Sequence, residues 1–427
     1  MKAKAKDNHI EIMAPAGSFE ALAAAIEAGA GSVYFGTGHL NMRSASSQNF
    51  SLDDLESIAD KCHSNGVRSY ITLNTVVYDH ELAEMRQLIE AAKANNISAV
   101  IASDMAVIRY ARQQGMEVHM STQTNISNIE AVRYYSRFAD VMVMARELNL
   151  NQVKAITDAI EQQHICGPSG QIVKVEMFVH GALCMAISGK CYLSLDMLNA
   201  SANRGACLQP CRRAYQVKDK NHEVVMEIDN AYIMSPKDLK TVDFLDKILK
   251  AGVKVLKIEG RGRSPEYVKT VVEVYTQAVQ AYVEDTFSHE KVEKWDKRLR
   301  TVYNRGFWEG YYLGRKRGEW TEKPGSRATK KKIYVGKVTN YFAKIKVAEI
   351  QMQSGHMSVG DELLIIGPTT GVQQVQLTEI RVDMKPVASA VKGSTCSVPV
   401  NSTVRRSDKV YKLMDEDPDF GLNERYD

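Results

Sequence analysis

The sequence has no long apolar run. No stretch approaches the ~18 consecutive apolar residues of a membrane helix. Its opening, MKAKAKDNHIEIMAPAG, has basic residues but lacks the apolar segment of about 7–15 residues that marks a signal peptide. No membrane partner is expected, and the expected compartment is the cytoplasm, where persistent disulfides are rare. Charge of one sign is scarce too. The formal net charge of +4 is too small to require a polyanionic partner. Hydrolase signatures are missing: there is no H-E-x-x-H helix, and no G-x-S-x-G elbow near a suitable histidine. Cysteine is sparse, with seven in 427 residues, yet four of them fall between positions 184 and 211.

What is present reads as a soluble globular protein, 44% hydrophobic and 25% charged. Single cores rarely outgrow about 250–300 residues, so two or three domains are expected. Short apolar runs alternate with helical patterns over the first ~270 residues. The strand candidates are 10–13, 32–35, 69–73, 99–102, 117–120, 140–144, 174–179 and 253–258. Between them lie amphipathic segments such as 18–30, 51–66 and 149–163, several opening on Ser or Asn caps. Eight such units predict an α/β fold, a (β/α)8 TIM-like barrel with flanking helices; an open doubly wound sheet is the rival.

The expected domains are a barrel over 1–270 that carries the cysteines, a helical extension over 271–314 and a basic linker over 315–332. A small antiparallel β-barrel domain over 333–414 and an acidic tail over 415–427 follow. The linker holds eight Lys/Arg against two Glu. It reads either as a solvated connection or as a patch that contacts phosphates.

A barrel puts its reactive residues after the strands. Polar groups or tight loops stand there throughout: Ala14-Pro15-Ala16-Gly17 with Ser18, then Asn41, Arg43 and Asn49, then Asn74, Ser103-Asp104, Ser121-Thr122-Gln123, Arg146-Glu147, His180-Gly181 and Glu259-Gly260-Arg261. Any one of them alone reads first as a cap or turn residue. Eight clusters on one predicted rim are harder to explain that way.

The cysteines are spaced Cys184-x6-Cys191-x15-Cys207-x3-Cys211. Structural zinc sites use two close pairs, and only the second pair here is close. Iron–sulfur clusters take four thiolates at more varied spacing. Iron–sulfur, zinc, and redox or buried free thiols all stay open on spacing alone. Cys62, Cys166 and Cys396 stand apart and read as isolated thiols. A His180–Cys184 peptidase dyad is conceivable at four residues' separation, but four clustered cysteines exceed what one nucleophile needs.

The segment EMFVHGALCMAISGKCYLS (176–194) resembles the defining segment of the collagenase-like peptidase family, family 32 of the unknown-mechanism class (U). The matching positions are Glu176, Phe178, Gly181, Cys184, Gly189, Cys191 and Ser194. APAGSFEALAAAIEAGAGSVYFG, NMRSASSQNFSLDDL, STQTNISN, MSPKDL, LKIEGRGRSPEYV, NRGFWEGYYLG and VGDELLIIGP are also similar to family segments, so the resemblance covers almost the whole chain.

The family name implies a peptidase. Several members instead resemble iron–sulfur hydroxylation proteins acting on RNA uridine or cytidine, or on a quinone precursor. A barrel followed by a β-domain is most similar to the subgroup linked to 5-hydroxyuridine at the tRNA wobble position, a reaction thought to draw on prephenate rather than molecular oxygen. The resemblance implies a [4Fe-4S] cluster on Cys184, Cys191, Cys207 and Cys211, with the fourth ligand varying within the family. It also implies tRNA as partner and prephenate as co-substrate. A small dianionic acid of this kind needs guanidinium partners, for which Arg43, Arg146 and Arg261 are the candidates. Glu147 or Glu259 is the candidate general acid/base, with ion pairing to those arginines as the alternative role. His180 is either an active-site group or a structural histidine beside Gly181.

Overall fold

The computed structural model describes residues 10–45, 49–215, 232–314 and 317–418. Nine strands lie in its first part: β1 (Glu11–Pro15), β2 (Ser32–Gly36), β3 (Arg68–Leu73), β4 (Ala99–Ala102), β5 (Glu117–Met120), β6 (Val141–Val143), β7 (Lys174–Gly181), β8 (Asp238–Lys240) and β9 (Val255–Ile258). A tenth, β10, spans Phe307–Trp308. Strands β1 to β7 pair in parallel in chain order. Strand β9 pairs in parallel with both β1 and β7, Val255 lying opposite Glu11 on one side and Glu176 on the other. That double pairing closes an eight-stranded parallel barrel. The predicted fold class holds, and the open doubly wound sheet does not.

Sequence chemistry starts the barrel helices where expected. Ser18 Oγ accepts from Ala21 N at 3.2 Å ahead of the helix Phe19–Glu27. Asp104 caps Met105–Gln113, and Asn149 with Gln152 forms a capping box for Leu150–Gln162. The eighth helix, Pro265–Val283, packs back on Phe19–Glu27 and β1. It runs through position 270, so the expected boundary there falls inside one element.

Two short strands escaped the hydrophobic pattern. Between β7 and the helix Leu245–Lys250 the chain makes a long excursion that carries the four clustered cysteines. It returns through β8, which pairs antiparallel with the end of β7, while β10 adds to β8 in parallel. Elements of two or three residues bury too little apolar surface to show a period.

The 315–332 segment is not a free linker over its described part. Thr321 N donates to Ser235 O (2.8 Å), Lys237 N to Glu319 O (2.9 Å), and Trp320 bridges to Pro236. Its Lys330–Lys332 already belong to the strand Lys330–Phe342, so the β-rich region starts at 330 and its last strand ends at Asp415. Arg315 and Lys316 lie outside the described residues, as does the tail from 419 onward. The C-terminal region is an eight-stranded antiparallel sheet, with a two-stranded ladder of His356–Ser358 and Ser389–Val391. It has its own core, including Val338, Ile350, Leu363, Ile365 and Val398. It rests on the barrel through Leu364, Ile366 and Val372 against Ala24. Among the described residues, no helix is long and apolar enough to cross a membrane.

Candidate active site at the barrel mouth

Inward positions alternate along the strands, and this brings Tyr34, Thr72, Phe178 and Lys257 to the floor of a cavity of ≈ 160 Å³. Above them the residues that follow the strands form the wall: Arg43 after β2, Asn74 after β3, Ser121 and Gln123 after β5, Arg146 after β6, Glu259 and Arg261 after β9. The excursion after β7 supplies Cys184, Cys207, Cys211 and Arg212.

That excursion is fastened across the mouth. Arg204 binds both carboxylate oxygens of Glu81 (2.5 and 2.6 Å) and the carbonyl of Val76. Burial works against the Glu81 charge, but the Arg204 contact prevails and holds it down to about 2. Ala45 N donates to Gly205 O at 3.2 Å. A Cβ on Gly205 would fall 2.2 Å from Ser44 Oγ, so a side chain there would push the two loops apart. Asn125 Nδ2 donates to Ser188 O (3.1 Å), tying the cysteine loop to the residues after β5. Arg212 donates to Leu183 O, Ser235 Oγ and Pro236 O, closing the loop on itself.

Charge dominates the wall. Arg43 Nη2 meets Glu259 Oε1 at 2.8 Å, and Tyr34 OH reaches Glu259 Oε2 at 3.3 Å. Arg261 Nη1 donates to Asn41 Oδ1 (3.0 Å) and Thr72 Oγ1 (2.8 Å), both neutral. A Cβ on Gly36 would lie 2.5 Å from that nitrogen, so glycine makes the room. Arg146 stacks over the Phe178 ring at 3.9 Å, and its buried Nε has no hydrogen-bond partner. Burial disfavours the Glu259 carboxylate, but Arg43, Arg146 and Arg261 outweigh it and hold its pKa down to about 2. Burial lowers Arg261 to about 10, still a cation at neutral pH. Below the floor, Lys257 Nζ pairs with the fully buried Glu176 at 2.8 Å, and Glu176 Oε2 has no partner. The cavity lining, floor included, therefore shows five cations against one carboxylate.

The cysteines belong together. None is in a disulfide, and Cys211 lies within electrostatic range of Cys184, Cys191 and Cys207. Burial pushes the Cys211 thiol up, with Arg212 acting against it. A thiol so placed stays protonated until a metal takes the proton's place. Among the described residues, no three His, Cys, Asp or Glu side chains are grouped closely enough to hold a single metal ion. The described residues thus hold no preformed zinc site. A four-iron cluster makes a different demand, because each of its irons takes one thiolate and the ligands stand around it. Four free thiols on one fastened loop, with Arg146 and Arg212 nearby to offset their charge, fit that demand.

Of the sequence candidates, Arg43, Arg146, Arg261 and Glu259 meet at the cavity with Cys184, Cys207 and Cys211; Cys191 stands next to these thiols without lining the wall. Two candidates do not join them. Glu147 points to solvent beside Tyr311 and Tyr312. His180 is buried between β7 and β8, ringed by Tyr267, Tyr275 and Phe307. Burial, then Lys240 and Arg263, hold it neutral with a pKa near 3. Its ring nitrogen meets Tyr275 OH, so no dyad forms with Cys184, and no histidine lines the cavity among the described residues. Tyr34, Thr72 and Lys257 were missed. Thr72 and Lys257 each stand two residues before a rim residue, Asn74 and Glu259, and that alternation was the available signal; Tyr34, on β2, had no such marker.

A barrel whose mouth gathers thiols and guanidinia defines a class of site before any likeness is considered. The family model for "Peptidase family U32" matches residues 17–322, and this chain belongs to that family. It is 56% identical over 406 residues to a protein of Porphyromonas gingivalis named collagenase, covering 95% of this chain and 98% of that one. It is 31% identical over 367 residues to tRNA hydroxylation protein P1 of Bacillus subtilis, covering 84% and 83%. It is 34% identical over 279 residues to the 23S rRNA 5-hydroxycytidine C2501 synthase of Escherichia coli, covering 65% of this chain and 40% of that protein.

Proposed function

We propose that this protein takes part in RNA-base hydroxylation, forming 5-hydroxyuridine at the wobble position of tRNA. Prephenate, a small dianionic acid, is the co-substrate, and Cys184, Cys191, Cys207 and Cys211 hold a [4Fe-4S] cluster. One observation carries this reading: thiols and an excess of guanidinia share one cavity at the barrel mouth. The names of the Bacillus and Escherichia relatives support the RNA-base reaction.

The bound cluster supplies one-electron redox chemistry. The chain's own residues bind and orient. Arg146 and Arg261 present guanidinium edges to a carboxylate, since their present partners are neutral oxygens. Glu259 is ionised far below neutral pH, so it orients Arg43 rather than exchanging protons. Lys257, held by Glu176 at 2.8 Å, places its Nζ as a hydrogen-bond donor at the floor.

The test is mass analysis of tRNA nucleosides from a deletion strain, where 5-hydroxyuridine is expected to vanish. Protein purified without oxygen should carry about four irons per chain, lost in Cys184→Ala or Cys191→Ala. Iron-free protein with full hydroxylation activity sinks the proposal. The 56% identity to a protein named collagenase keeps a peptidase as the second reading. Gelatin cleavage by pure protein, abolished by one side-chain change, would establish it.

A further inference from the structure

Beside the main cavity lies a smaller one of ≈ 90 Å³. The two share Arg43, Ala182, Gln209 and Glu259, which makes the Arg43–Glu259 ion pair part of the partition. The remaining wall carries Arg263 and Arg305 beside the backbone of Gly260 and Gly262. Among the described residues, one carboxylate is in ion-pair reach of these arginines. It is Asp238, 2% exposed, at 3.2 Å from Arg305 and 3.8 Å from Arg263.

A third guanidinium adds to the imbalance. Arg212 lines the main cavity, feels the charge of Arg305 and donates to neutral oxygens. Three largely buried guanidinia thus depend on a single carboxylate. Burying like charges without counter-ions is unfavourable, and binding an anion offsets it. Both chamber arginines are also held in place. Arg263 lies 3.7 Å and Arg305 5.2 Å from the centroid of the same Tyr303 ring, so one aromatic side chain steadies both guanidinia.

We propose that the side chamber is a carboxylate subsite for a dicarboxylic acid. One carboxylate meets Arg146 and Arg261 in the main cavity, and the other lies past the Arg43–Glu259 pair on Arg263 and Arg305. The proposal rests on the dianionic co-substrate put forward above and gives that site its preference for two carboxylates over one.

Calorimetric titration of the full chain with prephenate, with pyruvate as a monocarboxylate, and with inorganic phosphate tests it. Arg305→Gln and Arg263→Gln should each weaken prephenate binding roughly tenfold or more, the scale of a lost charged hydrogen bond. Pyruvate affinity should stay within about twofold in both. Arg146→Gln should weaken both acids. Thermal melts check folding, and if one side-chamber variant does not fold the other carries the test. Unchanged prephenate binding in the folded variants overturns the proposal, as does equal weakening of prephenate and pyruvate. Phosphate binding that needs Arg305, with no prephenate binding, assigns the chamber to a phosphate and also overturns it. Binding is read without turnover, so the outcome is separate from that of the tRNA nucleoside experiment.

Discussion

At the N-terminal end of the barrel, Glu11 accepts hydrogen bonds from Ser32 Oγ (2.5 Å) and Tyr70 OH (2.8 Å). Glu117 there is held by Arg68 (2.6 Å) and His119 (2.9 Å). At the C-terminal end, five cations line a cavity with one carboxylate, and Arg263 and Arg305 share Asp238 next door. Both ends are polar and largely buried. The lower end answers its carboxylates from its own strands, which is what a structural plug requires. The upper end keeps a cationic surplus that helps no fold and suits anionic ligands.

The largest effect is expected where the two regimes meet. Lys257→Met strands Glu176 as a buried, unpaired charge, and should lower unfolding free energy by about 3–5 kcal/mol in denaturant titrations. The double variant Lys257→Met/Glu176→Met should recover most of that loss. By contrast, Arg305→Gln leaves Asp238 with Arg263 and relieves the repulsion of Arg212, so it should cost the ligand-free protein much less than Lys257→Met. A costly Arg305→Gln beside a harmless Lys257→Met would reverse the comparison.

A smaller, pH-dependent effect separates the two ends in function. Glu117 and Glu259 both have pKa values near 2; burial raises each, and neighbouring cations more than offset it. A depressed carboxylate contributes stability above its unfolded pKa of about 4.3, and loses it as pH falls towards 2. Glu117→Gln and Glu259→Gln should each cost on the order of 2 kcal/mol at pH 7 and almost nothing near pH 2. Only Glu259→Gln should change the affinity for dicarboxylates, because Glu259 competes with them for Arg43. A matching change with Glu117→Gln would mean the ends are not independent.

The sequence showed the barrel because its strands are short apolar runs between capped helices, and eight repeats average out local ambiguity. It showed Arg43, Arg146, Glu259 and Arg261 because chemistry that follows a barrel strand falls on one rim. It left His180 between an active-site and a structural role, since the antiparallel return of β8 that covers this residue leaves no periodic trace. Glu147 failed for a simpler reason: consecutive residues after a strand point in different directions, and Arg146 took the inward one. Arg263 and Arg305 were invisible as a pair. They are far apart in sequence, and Asp238 joins them only after β10 docks on β8.

The smallest effect concerns charges outside the barrel. Lys332 pairs with Glu266 (2.8 Å), Arg327 with Glu322 (3.0 Å), Lys331 with Glu416 (3.7 Å), and Lys330 with Glu362. Exposed or half-exposed pairs of this kind contribute at most about 1 kcal/mol. Lys332→Ala should therefore shift the denaturant midpoint only slightly. Because these cations are already matched by the protein's own glutamates, they resemble the lower end of the barrel rather than the mouth. The salt dependence of tRNA binding should accordingly be unchanged in Lys332→Ala. A log–log slope that falls by about one for the lost lysine would place a phosphate on it, and would give the strand Lys330–Phe342 a part in RNA binding.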